Sequence, residues 1–243
     1  MIKRFLIIFG CNFFCAIVFS SCSDTVEKNE TSFLQKIQNS IFGSAVKTKK
    51  KEKLNVKEYV TRVEDAENGI KANKTIGNFT YSVLYKPYEY LALLELKKDS
   101  LTQQKIKEKT KEYDGYQYFT FRITSEKQTD ELLKVNLKSE NEYYARLEYF
   151  SFNMQNDIKL IEGTDTLNCV LFHFERIYGL APYATFILGF PLTETEGRIQ
   201  DEKKEMIYTD KTILYTDKVF GGGNVYITIK AENLNSVPEL VIN

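Results

Sequence analysis

The sequence predicts an α+β fold, a largely antiparallel β-sheet with a few helices, open to a sandwich-like arrangement in its C-terminal half. Three observations carry this. The aromatic content is skewed, with 17 Phe, 16 Tyr and no Trp in 243 residues, and Phe and Tyr suit half-buried pleated surfaces. Apolar residues alternate in several stretches, as in Phe79-Thr80-Tyr81-Ser82-Val83-Leu84-Tyr85, with the two-residue period of a strand. Helical start signals are fewer, at Ser100 with Gln103 and at Ser139 with Glu142, each with the spacing of a capping box.

Taken in order, the folded body begins near Val56, with Lys57 to Val63 read as a strand and Glu67-Asn68-Gly69 as a turn. Phe79 to Tyr85 follows as a strand with Phe79, Tyr81, Val83 and Tyr85 on one face, ended by Pro87. Tyr88 to Lys97 reads as a short helix, and the polar run from Ser100 to Tyr113 as an exposed one. Asp114-Gly115 turns the chain into Tyr116 to Thr124, where Gln117, Phe119, Phe121 and Ile123 oppose Tyr116, Tyr118, Thr120 and Arg122. Behind Ser139, the residues Tyr143, Leu147, Phe150 and Met154 recur at helical spacing, although Phe150-Ser151-Phe152 also fits a strand. Strands then dominate: Ile158 to Ile161, Thr166 to Tyr178, Ala184 to Phe190, Glu205 to Tyr208, Thr212 to Tyr215 and Asn224 to Lys230. The stretch Cys169 to Phe174 is apolar on both faces, the pattern of a central strand. Gly221-Gly222-Gly223 marks a tight turn before Val225.

Ahead of this body stands a segment of a different kind. Met1-Ile2-Lys3-Arg4 is a short positive start, and Phe5 to Phe19 is an apolar run of 15 residues interrupted by Gly10 and Asn12. Ser20-Ser21-Cys22 then supplies small residues and a thiol. That order is a secretory signal, and the run is short of the about 20 apolar residues a spanning helix needs. The stretch Phe19-Ser20-Ser21-Cys22 resembles the lipobox of bacterial lipoproteins, with Phe19 in place of the usual Leu-like residue. The resemblance covers residues 1–22. It implies cleavage before Cys22, a diacylglyceryl group on its sulfur and an acyl chain on the new amino terminus. Cys11 and Cys15 lack this setting: an apolar core ending at Gly10 is too short, and Phe13 and Phe14 are too bulky to precede a cleavage site.

The expected organisation is therefore a signal peptide over 1–21, a lipid-anchored tether over 22–54 and a single globular domain over 55–243. Within the tether, Thr31 or Ser32 could cap a helix carrying Phe33, Leu34, Ile37 and Ile41, with Lys47, Lys49, Lys50, Lys51 and Lys53 behind it. Such a helix could rest on anionic headgroups. The preferred reading is a solvated linker with a helix docked on the domain. The acidic stretch after Cys22 also resembles the surface-export signals of some Gram-negative lipoproteins.

Processing removes Lys3 and Arg4, leaving 31 basic residues against 33 acids, a side-chain balance of −2. A near-neutral chain offers no overall attraction to nucleic acid. Processing also leaves Cys169 as the one thiol beyond Cys22, so no disulfide within the domain is expected. His173 is the single histidine, four residues after Cys169. On a strand that separation is roughly 13 Å, too long for a Cys–His dyad, so Cys169 reads as a packed thiol and His173 as a hydrogen-bonded structural residue. The three glycines lack the Lys-Ser or Lys-Thr of a phosphate loop. The acidic clusters Glu64-Asp65, Glu194-Glu196 and Asp201-Glu202 lack the ligand spacing of a calcium loop. In Tyr85-Lys86-Pro87-Tyr88-Glu89-Tyr90, alternate rings are expected to enter the core with their hydroxyls near the surface.

No catalytic residue, cofactor site or metal site is expected. The function these features imply is a lipid-anchored cell-envelope protein, on the outer membrane in preference to the inner and facing periplasm or surface. It would act as a non-enzymatic binding or accessory component beside an envelope protein partner. The alternatives are an exported hydrolase with a carboxylate site and a glycan- or small-molecule-binding lipoprotein. Replacing Cys22 by Ala is expected to abolish incorporation of labelled fatty acid and to release the protein from membranes, read by metabolic labelling and fractionation.

Overall fold

The computed structural model describes residues 51–97, 101–127, 131–176, 181–193 and 208–242. Cys22, the 31–41 helix, Ser100, the acids at 194–202 and most of the Glu205–Tyr208 strand lie outside them. The unit that carries the described residues runs from Lys49 to Asn243. It is an α+β sandwich of two antiparallel sheets, fringed by short helices. One sheet has the order β2 (Lys71–Ile76), β3 (Phe79–Lys86), β4 (Tyr116–Ser125), β8 (Tyr183–Pro191) and β7 (Leu171–Glu175). The other has the order β10 (Gly223–Ile229), β9 (Lys211–Asp217), β5 (Ile158–Glu162) and β6 (Asp165–Asn168). Strands from both halves of the chain thus build the sandwich. A short parallel pair, β1 (Lys53–Leu54) with β11 (Glu239–Leu240), joins the two ends of the unit.

The alternation of β3 is realised residue by residue: Phe79, Tyr81, Val83 and Tyr85 are buried and the residues between them half-buried. The inner face of β4 adds Phe119, Phe121 and Ile123, and β8 adds Phe186, Leu188 and Phe190. Ile213 and Tyr215 of β9 face them, with Tyr215 5.3 Å from Phe121 and 6.1 Å from Tyr81 between ring centroids. Each such side chain, fully buried, contributes roughly 1.5–3 kcal/mol, so this aromatic layer is the main cohesive element of the sandwich.

Three expectations need correction. Lys57 to Val63 is not a strand but helix α1 (Val56–Glu64). Asn55 accepts from the Glu58 backbone N–H while the Glu58 side chain accepts from that of Asn55, a full capping box. Tyr59 and Val63, one helical turn apart, are its buried residues. Here capping and period outweigh the strand propensity of Tyr and Val. The stretch 166–178 is not one strand. It breaks at Cys169-Val170, so that β6 belongs to one sheet and β7 to the other. Nor is β7 central. It pairs with β8 alone, turning Phe172 and Phe174 inward and leaving Leu171, His173 and Glu175 exposed.

Residues 139–157 are helical. Helix α4 (Glu140–Glu148) is capped by Ser139, whose hydroxyl accepts from the Glu142 N–H, and it continues through a π-turn over Tyr149–Asn153. The Ser151 hydroxyl donates to the Leu147 carbonyl at 2.7 Å, one turn back, and such a bond loosens the regular ladder. Phe150 within the π-turn and Met154 just past it are both buried. Helices α2 (Tyr88–Glu95) and α3 (Gln103–Thr110) form an excursion between β3 and β4, and α5 (Ala231–Asn235) precedes β11.

Two polar networks lie inside the sandwich. At one end, Lys211 of β9 is fully buried and pairs with Glu162 of β5, and it donates to Gln117 of β4 at 2.6 Å. Gln117 in turn donates to Glu162 at 3.1 Å and to the Pro191 carbonyl at 3.2 Å. At the other end, Asp217 accepts from the Tyr81 hydroxyl at 2.6 Å and from the backbone N–H groups of Val219, Phe220 and Gly222 at 2.8–2.9 Å. This network shapes the turn expected at Gly221–Gly223. A Cβ on Gly222 would lie 2.6 Å from the Tyr81 hydroxyl and 2.9 Å from the Asp217 carboxylate, so only glycine fits. Replacing Lys211 by Met is expected to lower stability by about 3–5 kcal/mol, because Glu162 is left buried and uncompensated. The double variant Lys211→Met/Glu162→Leu is expected to regain most of that loss, read from urea unfolding midpoints.

Candidate functional site

The face of the five-stranded sheet turned away from the core is the richest chemical surface of the fold. Period-two alternation places Lys71, Asn73 and Thr75 of β2 there, with Thr80, Ser82, Leu84 and Lys86 of β3. β4 contributes Tyr116, Tyr118, Thr120, Arg122 and Thr124. β8 and β7 add Tyr183, Thr185, Ile187, Leu171, His173 and Glu175. Most are half-buried, as expected of a sheet surface reached by solvent; Asn73, Thr75, Tyr116, Arg122, Leu171, His173 and Glu175 are exposed, and Thr185 is buried. At one end the face meets α2 and the turn after α3. Tyr88 packs edge-on to Tyr118, as does Tyr113, and the Tyr88 hydroxyl donates to the Tyr116 carbonyl at 2.5 Å.

Arg122 sits on the central strand of this sheet. Its guanidinium lies 4.4 Å from the centroid of the Tyr183 ring, and its Nε donates to the Thr185 hydroxyl at 3.1 Å. A cation over an aromatic face is attracted by the ring quadrupole, and the Thr185 bond sets the plane of the group. The two terminal nitrogens form no ion pair among the described residues. Arg122 is thus oriented by its neighbours while its fork stays available.

Lys86 occupies the same face, one residue beyond the Phe79–Tyr85 pattern. Burial lowers the pKa of its amine, and the carboxylates of Glu175 and Glu64 act in the opposite sense. The Lys86 amine makes no hydrogen bond or ion pair among the described residues. The strand positions of this face carry three cations, Lys71, Lys86 and Arg122, against Glu175, a net of +2 with His173 neutral, while the whole chain sums to zero.

The residues singled out in the sequence fall into place differently. Cys169 is buried, and its thiol donates to the Leu171 carbonyl at 3.1 Å. Burial pushes the thiol pKa up to about 11, the behaviour of a packed thiol. His173 is not the hydrogen-bonded structural residue expected. It is exposed on the edge strand β7, and its side chain makes no hydrogen bond among the described residues. Glu64 accepts from the Tyr90 hydroxyl at 2.7 Å, and Asp65 caps the turn at Glu67. Tyr85 and Tyr90 enter the core as expected. The buried carboxylates Glu162 and Asp217 are held inside the sandwich by the networks described above. Among the described residues no group of three His, Cys, Asp or Glu side chains has metal-binding geometry, and none of the helices is long and apolar enough to cross a membrane.

Sequence reasoning recorded Arg122 as part of an alternating strand and passed over its chemistry. The signal was present in the string Thr120-Phe121-Arg122-Ile123-Thr124, where a lone cation stands on the polar face of a strand between two threonines. Its ring partner Tyr183 lies far along the chain and is found only through the pairing of β4 with β8. No family model, no curated protein and no solved structure matches the chain. The Cys169 thiol is expected to resist iodoacetamide at pH 8 in the native protein and to react rapidly in urea, read by mass spectrometry of time-sampled aliquots.

Proposed function

We propose that this protein is a lipid-anchored component of a bacterial cell envelope that acts by binding rather than by catalysis, as an accessory to other envelope proteins. The observation that carries the reading is the order of its first residues: a positive start, a short apolar run and Ser20-Ser21-Cys22. Acyl chains on Cys22 would confine the domain to two dimensions and raise its effective concentration near membrane partners. Each buried CH₂ contributes about 0.8 kcal/mol, so two or three chains make the attachment stable. The outer membrane is the favoured site. The solvent-facing side of the five-stranded sheet supports the binding role, since it offers an oriented cation, hydroxyl rows and aromatic edges on a rigid frame.

Crosslinking in intact cells with the full chain tests this. The expected result is a discrete adduct with an envelope protein that disappears in the Cys22→Ala variant. Recovery of the protein from the cytoplasm, or an adduct pattern indifferent to Cys22→Ala, overturns the reading.

A further inference from the structure

We infer that the outer face of the five-stranded sheet is a receptor site for a carboxylate-bearing glycan, with Arg122 as its anchor. This rests on the binding role proposed above and names the ligand class. Arg122 is fixed by Tyr183 and Thr185, so little side-chain freedom is lost when its fork engages a carboxylate in two parallel hydrogen bonds. The strand positions of this face sum to +2 before Glu64, whose carboxylate also acts on Lys86, is counted, so the group that selects an anion is the exposed Arg122. Glu175 is the one competing carboxylate on these strands. It stands beside Thr185 on β7, two strands from Arg122, and forms no ion pair with it.

The surroundings of Arg122 decide between a glycan and an acidic polypeptide. Its neighbours on this face are Ser82 and Thr185 across the strands and Thr120 and Thr124 along its own strand. The Thr185 hydroxyl is buried and engaged by Arg122, whereas Ser82, Thr120 and Thr124 are half-buried and carry hydroxyls that both donate and accept, matching the hydroxyls of a sugar ring. A peptide would gain most by adding a strand to a sheet edge, but β4 is the central strand, paired with β3 and β8. Its backbone groups are already used, and recognition there must come from side chains. The exposed positions are spread over β2, β4 and β7, which suits a polymer.

The test uses the full chain in detergent and three probes: polygalacturonate, its fully methyl-esterified neutral form, and poly-L-glutamate, compared by titration calorimetry at physiological salt. Polygalacturonate is expected to bind at least about tenfold more tightly than either other probe. Arg122→Gln is expected to weaken that binding by about tenfold or more, in line with loss of a charge-assisted pair. Lys57→Gln, on an exposed position of α1, is expected to leave it unchanged. Should Arg122→Gln lower the melting temperature, Arg122→Lys replaces it, because it keeps the charge and the stem but loses the fork; a comparable loss is expected. Absence of polygalacturonate binding overturns the inference, as does equal affinity for the neutral ester. Equal binding of poly-L-glutamate assigns the site to acidic polypeptides and overturns it likewise. Unchanged affinity in the Arg122 variants, or an equal loss in Lys57→Gln, reduces the effect to diffuse charge and also overturns it. A positive crosslink in cells with a negative titration would remove the ligand class and leave the binding role standing.

Discussion

The buried contact among Lys211, Glu162 and Gln117 ties the two sheets of this protein together. Glu162 and Lys211 are opposite one another on β5 and β9, and Gln117 reaches them from β4 of the other sheet. An ammonium taken fully out of water is costly unless it is paired and hydrogen-bonded, so the two sheets must meet in the alignment that brings all three groups together. Shifting β9 by one residue would turn Lys211 outward and bring Thr212 to the core. The aromatic layer supplies cohesion without direction, whereas this contact supplies direction.

The Asp217 network performs the same task at the far end. One carboxylate collects the Tyr81 hydroxyl and three backbone N–H groups of the β9–β10 turn. Burial and that bond raise the Tyr81 pKa, so the phenol stays a donor to the carboxylate. With both ends pinned, the inner faces are committed to each other. The opposite side of the five-stranded sheet is thereby held as a surface whose side chains keep set spacings. A binding face needs this rigidity, since groups held in place lose less freedom when a ligand arrives.

Much of this architecture was legible in the sequence because strands with one wet face write their pattern plainly. β3 and β4 alternate without interruption, and the structure reproduces both. The Ser139 cap and the Gly221–Gly223 turn were likewise readable, since each depends on neighbours in sequence. The errors have a common physical origin. Val56–Glu64 contains good strand formers, but the Asn55–Glu58 box governs it. The apolar run through Cys169 looks central in sequence because the chain changes sheets there. Val170 is exposed at that crossing, and the run serves two faces in turn. The Arg122 site was half legible, the cation in its own strand and its ring partner not, for a different reason. It is made by β4 and β8, some 60 residues apart at their paired positions, and a single sequence does not reveal which strands lie side by side.

The parallel pairing of Lys53–Leu54 with Glu239–Leu240 has a mechanical consequence. The Glu239 N–H donates to the Glu52 carbonyl and the Val241 N–H to that of Leu54, while Gln103 grips the far side of the same strand at Leu240 and Ile242. A pull transmitted along the segment ahead of Lys53 meets these bonds in shear, where they must break together, and part of it is passed to the last strand. Strain on the leading segment is thus shared with the tail of the domain before it reaches β2 and the sheet that carries Arg122.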